Sequence, residues 1–264
     1  MYSLKEFFSK LDEIAPIEYS YKQIERGDYD NSGIIVKVNE EVKKVLFTLD
    51  LTELAVKKAK RLGVDTIVTH HPAIYAPIKS LDVTSPDTAS LLSAIENKIN
   101  VISMHLNLDV ASGGIDASLA KALGGKEYKI LDYLTEKVGY GREFKIPKTS
   151  LLEYKKLVKK ALDTDKIICY GKKTANINKV ASFCGAGGSH AVKIVKEGIT
   201  DADLIVTSDL AHHLIKEFIE RDKLVMIIPH YVSEEYGFKR FCENVKNIVK
   251  DKAEIFYFDD RRFR

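Results

Sequence analysis

The sequence has no tryptophan, a single glutamine (Gln23) and only three cysteines among its 264 residues. Cys169, Cys184 and Cys242 are odd in number and nowhere spaced as CxxC, which excludes a disulfide framework and a zinc knuckle; they read as ordinary buried or half-buried thiols. No apolar run approaches the roughly 20 residues needed to span a bilayer, so a helical membrane span is excluded and no membrane partner is expected. An excess of one charge is also missing: 41 basic against 38 acidic residues leave +3, and composition gives no argument for nucleic acid. The opening Met1-Tyr2-Ser3-Leu4-Lys5-Glu6-Phe7-Phe8 mixes acids and lysines and lacks a signal-peptide core, so the expected location is cytoplasmic. Short repeats and low-complexity segments are absent as well.

What is present is alternation. Leu4, Phe7, Phe8, Leu11 and Ile14 form one stripe of a helix over 1–15. Short apolar runs at 34–38, 45–49, 64–69 and 100–106 read as strands. Between them lie a helix from Thr52 to Leu62 closed by Gly63, and another opened by Ser85-Pro86 as cap and first residue. A helix near 115–123 ends at Gly124-Gly125. Beyond Lys126 the rhythm changes: extended structure over 129–145, a helix begun by the Ser150…Glu153 capping box, strands at 166–170, 179–184 and 202–207, and helices after Gly185–His190 and after Asp209. The expected fold class is α/β, with two interlinked lobes of mixed or largely parallel sheets flanked by helices. The expected division is 1–125 plus 223–264 for one lobe and 126–222 for the other, with strand 223–230 returning to the first lobe's sheet, followed by a helix over 234–250 and a strand over 253–258.

The chemistry gathers at strand ends. All seven histidines (70, 71, 105, 190, 212, 213 and 230) lie at or just past one. His70-His71-Pro72 ends one run, His105 to Asp109 another, and His230 to Glu234 a third. Open α/β sheets keep their ligands at such ends. Imidazole with carboxylate suits zinc, iron, manganese, cobalt or nickel. Neighbours in an extended chain point to opposite sides, so His70 and His71 serve two adjacent ions only if the strand end curls. Asp109 and Glu234 are the available bridges and His230 completes a set of five. Two dications against two carboxylates leave roughly two positive charges, which attracts an anionic small molecule, phosphate above all.

His-His-Pro, His-x-Asn-x-Asp, the Gly-x-Gly-Gly-Ser turn, Thr-x-Asp-x-x-His-His and His-Tyr-x-x-Glu occur here in one order. Together they resemble the dinuclear-metal family known as GTP cyclohydrolase type 2-like, or Ngg-interacting-factor-three-like, over nearly the whole chain. The resemblance implies two divalent metal ions per chain held by His70, His71, Asp109, His230 and Glu234, and assembly into ring-shaped homohexamers. Ser208 stands where that family usually has glycine, a departure at the backbone rather than at the ligands.

A second group of residues keeps alternative readings. His105 orients a ligand, lines the substrate pocket or is structural. Asp209, His212 and His213 open a helix: one histidine is a candidate catalytic proton shuttle, and Asp209 is catalytic or a simple cap. Gly187, Gly188 and Ser189 either cradle a phosphate with backbone amides or form a tight turn. Lys155, Lys156, Lys159 and Lys160 read first as a solvated helix face and only secondarily as a nucleic-acid patch. The leading functional expectation is a two-metal hydrolase of the cyclohydrolase type acting on a nucleotide-like or phosphorylated molecule. A metal-delivery protein without turnover and a ring-shaped nucleic-acid scaffold are the alternatives.

Overall fold

A computed structural model describes residues 1–264, the side chain of Asp87 excepted. The chain forms two compact units: 1–111 with 238–261, and 112–237 with 262–264.

In the first unit, β1 (Tyr2–Ser3) leads into α1 (Leu4–Asp12), where Ser3 and Glu6 complete a capping box. The single helix expected over 1–15 is thus shorter, and α2 (Ile17–Glu25) follows it after Pro16. Then come β2 (Gly33–Val36), β3 (Glu41–Val42), β4 (Lys44–Thr48), α3 (Glu53–Leu62), β5 (Thr66–Thr69), α4 (Pro86–Glu96), β6 (Asn100–Ser103) and the short α5 (Leu106–Val110). Helix α3 follows its sequence signals: the Thr52 side chain accepts from Ala55 N, and Gly63 takes the left-handed conformation that ends it.

The second unit opens with α6 (Ile115–Ala122) and the hairpin β7 (Lys129–Tyr133) and β8 (Gly139–Ser150). It continues through α7 (Leu151–Ala161), β9 (Ile168–Tyr170), β10 (Asn176–Ser182), α8 (Gly188–Lys196), β11 (Leu204–Thr207), α9 (His212–Ile219) and β12 (Leu224–Ile227). Helix α10 (His230–Val249) contains the division between the units, and β13 (Glu254–Tyr257) belongs to the first.

The first unit's sheet has the order β13-β4-β5-β6-β2, parallel except for β2. Every residue of β5 and β6 is buried, as befits central parallel strands covered on both faces. Leu46, Val56, Ala59, Ile67, Leu91 and Val101 fill its core. The second unit's sheet has the order β7-β8-β10-β11-β12-β9, with β10, β11 and β12 parallel and the remaining pairs antiparallel. Strand β12 therefore lies between β11 and β9, not in the first sheet where residues 223–230 were expected. A run such as Leu224–Ile227 marks a buried parallel strand, but its pattern carries no information about which neighbour it will take. The α/β class holds, with mixed sheets flanked by helices. Among the described residues no helix is long and apolar enough to cross a membrane.

Candidate metal centre

In the first unit Thr48, Thr69 and Ser103 stand in register at the ends of three adjacent parallel strands. The residues just past those ends are Asp50, the His70-His71 pair and His105, so sheet topology gathers them at one edge. Strand β5 stops at Thr69, and the amides of His70 and His71 both donate to Leu49 O, at 3.1 and 3.0 Å. This curl brings the two imidazole centroids to 5.0 Å, where a continuing strand would have sent them to opposite faces. His105 lies 5.2 Å from His70 and 5.9 Å from His71, centroid to centroid. Helix α5 starts after His105, and Asp109 N bonds to His105 O at 3.0 Å, one turn on. One donor atom each from His70, His105 and Asp109 lies within 4.8 Å of the others, and these three side chains can hold a metal ion.

The tautomers follow from the partners. His70 is fully buried and its Nδ1 lies 2.8 Å from Met104 O; a carbonyl only accepts, so Nδ1 carries the proton. Its Nε2 is 3.5 Å from Asp109 Oδ1. His71 Nδ1 is 2.7 Å from Asp50 Oδ1, and His105 Nδ1 is 2.8 Å from Asp30 Oδ1. Burial alone would raise the Asp30 pKa; the hydrogen bond and charge of His105, with the Ser20 and Ser32 hydroxyls, hold the carboxyl below its ordinary value. All three rings are thus gripped at Nδ1, leaving Nε2 as the donor to anything bound.

The second unit repeats the device. Strands β10, β11 and β12 run parallel, and past their ends stand Gly185, Asp209 and His230. Helix α10 begins at His230 rather than near 234, which places Glu234 one turn after the imidazole; Nε2 and Oε1 are 3.0 Å apart. Asp209 holds His230 Nδ1 in a hydrogen bond, from a left-handed backbone of φ +43°. Gly185 N donates to Ser233 Oγ at 2.9 Å, and Ser233 Oγ donates to His230 O at 2.7 Å. With φ +56°, Gly185 places its α-carbon so close that a β-carbon would lie 2.4 Å from Glu234 Oε1 and 3.4 Å from His230 Nε2. Only glycine fits both the conformation and the approach.

Other residues singled out in the sequence have different surroundings. His212 and His213 are exposed at the start of α9, as Ser189 is on α8. A β-carbon at Gly187 would meet Tyr140 and Phe183, and one at Gly188 would meet Leu210, so close packing accounts for both glycines. His190 pairs with Asp132 at 2.8 Å. Asp50, Asp30, Gly185 and Ser233 are site residues that sequence reasoning missed; Gly185 alone left a signal, as the first glycine of the Gly-x-Gly-Gly-Ser turn.

Two α/β sheets whose parallel strand ends carry restrained imidazoles and carboxylates define an α/β protein with side-chain groups able to hold a metal ion. The chain belongs to the Duf34/NIF3 (NGG1p interacting factor 3) family, whose model matches residues 2–262. The GTP cyclohydrolase 1 type 2 homolog of Clostridium perfringens is 29% identical over 256 residues, spanning 96% of this chain and 94% of that protein. The protein of the same description from Methanocaldococcus jannaschii is 32% identical over 218 residues, spanning 81% and 85%. Among solved structures, reduced HcgD from Methanocaldococcus jannaschii superposes with a TM-score of 0.80 at 30% identity, covering 97% of this chain and 98% of that one. A Bacillus cereus protein related to NIF3 reaches 0.85 at 20% identity over 97% and 96%, a likeness of fold.

Proposed function

We propose that this chain is a hydrolase that uses two divalent ions per chain and acts on a phosphorylated or nucleotide-like small molecule. The donors in this reading are His70, His71, Asp109, His230 and Glu234. The observation that carries it is the restraint of the imidazoles: His70, His71, His105 and His230 each have Nδ1 held by a carbonyl or carboxylate. That is the arrangement that fixes tautomer and ring angle in ligating histidines and strengthens Nε2 as a donor. Gly185 adds support, since any larger residue would occupy the space beside Glu234 and His230.

Divalent ions on these donors supply Lewis acidity and activation of water. The protein's part is orientation. Asp50 and Asp209 hold two of the ligating rings, and Met104 O holds the third. Asp109 and Glu234 offset about two of four positive charges, the Asp50 and Asp209 carboxylates behind the rings offset part of the rest from further away, and an anionic ligand completes the balance. His212 or His213, exposed at a helix start, takes the proton-transfer role, and Ser189 on α8 faces the anionic group. Relatives described as GTP cyclohydrolase 1 type 2 homologs make ring opening of a purine nucleotide the first reaction to test. The same reading has the chain assembling as a homohexamer in the cytoplasm.

The test is turnover of a nucleotide and phosphoester panel by protein of known metal content, beside Glu234→Ala. Loss of both metal and turnover in that variant supports the hydrolase. Turnover by metal-free protein overturns it, and bound metal that exchanges fast with no turnover of any compound assigns metal delivery instead.

A further inference from the structure

Outside the donor set, the rings around His105 continue to the protein surface. Tyr75 stands perpendicular to His105, at 88° and 6.5 Å between centroids, and Tyr29 packs edge-on against Tyr75 at 4.9 Å and 70°. His105 in turn touches the rings of His70 and His71. Four ring contacts thus make one line of rings, from solvent to the imidazole cluster, all within the first unit. The two tyrosines are among its most exposed large hydrophobic side chains, at 49% and 56%.

The chain beside each tyrosine is tied to the site. Tyr29 precedes Asp30, which holds His105 Nδ1 and accepts the Ser32 hydroxyl at 2.7 Å. Tyr75 follows Ile74, whose carbonyl accepts from Asn31 Nδ2 at 2.7 Å. Residues 30 and 31 therefore tie the chain beside both tyrosines to the frame that orients His105. A half-exposed aromatic pair whose rings pack on each other beside the site offers a planar ligand a stacking surface.

The geometry points to Tyr29 and Tyr75 as a stacking platform for a planar heteroaromatic ring, a nucleobase or a ring of that size, carried by the ligand of the metal centre. This rests on the metal-centre reading and adds the ring to it: a sugar phosphate alone leaves the platform bare. The phosphate end answers the excess positive charge, while the ring end is read by stacking. Stacking tolerates any base, so the platform selects for a ring rather than for one base.

The test is isothermal titration of the full-length protein, with metal content measured on the same samples, using GMP, AMP and CMP against ribose 5-phosphate. The nucleotides are expected to bind about tenfold or more tightly than ribose 5-phosphate, a difference of ~1.4 kcal/mol. Tyr75→Ala and, separately, Tyr29→Ala are expected to bring that ratio near one with metal content unchanged, and Tyr75→Phe to keep it. Equal binding in the unaltered protein, no nucleotide binding at millimolar concentration, or an unchanged ratio in both alanine variants overturns the platform. So does a changed assembly mass in Tyr75→Ala, which assigns the tyrosines to contacts between copies of the chain. Ring preference is read whether or not metal is present. Missing metal removes the hydrolase reading, whereas bound metal without ring preference removes the platform alone.

Discussion

Gly185 is the position where backbone strain and site geometry can be separated by experiment. Its φ of +56° is left-handed, and alanine there bears a backbone cost of roughly 1–2 kcal/mol. Gly198, in the same unit, has φ +67° and nothing within 4 Å of the β-carbon position, so Gly198→Ala carries the backbone cost alone. Gly185→Ala adds a methyl 2.4 Å from Glu234 Oε1, the end of a side chain that burial at 2% exposure confines, and relieving such overpacking costs about 1–3 kcal/mol more. The expected losses are therefore about 1–2 kcal/mol for Gly198→Ala and about 2–5 kcal/mol for Gly185→Ala, read as urea midpoints of metal-free protein. Because the added methyl displaces the carboxylate, Gly185→Ala should also lower metal content, and Gly198→Ala should not. Equal stability losses with equal metal content in the two variants would refute the claim that Gly185 is kept for its approach to Glu234.

Asp209→Ala removes the acceptor that holds His230 Nδ1, and metal affinity should fall about 10- to 100-fold in competition with a chelator, with the fold intact by circular dichroism. The Asp30 carboxyl lies below its ordinary value of 3.8, so it contributes stability that is fully present above that value and is lost as pH falls through the lowered one. Metal-free protein should accordingly lose stability in that acid range, and Asp30→Asn should be less stable at neutral pH and lack this part of the acid dependence. Burial pushes the Cys242 thiol up to about 12, with Glu243 adding to it, so alkylation at pH 8 followed by mass spectrometry should leave Cys242 largely unmodified until denaturant is added. Rapid labelling of Cys242 in the folded protein would contradict its burial.

The sequence made the strand ends and their histidines legible because both are local: a short apolar run that breaks on His70-His71-Pro72 needs no knowledge of the rest of the chain. Caps were legible for the same reason, as Thr52 and Gly63 on α3 show. The residues that orient the rings were not. Asp50 is 21 positions from His71, Asp30 is 75 from His105, and Asp209 is 21 from His230. Such pairs have no period and no motif, and only folding brings them together. The start of α10 was misplaced by four residues because Ile228-Pro229-His230 reads as the end of a strand. The consequence is chemical, since His230 and Glu234 become neighbours on one helical turn.

The most direct test is the count of metal ions per chain in protein purified without added metal, repeated for His70→Ala and Glu234→Ala. About two divalent ions per chain in the unaltered protein, falling in both variants, is the expected result. A protein that is metal-free under these conditions and takes up none on titration, or one whose metal content is indifferent to both substitutions, would contradict the assignment of these side chains as a metal centre.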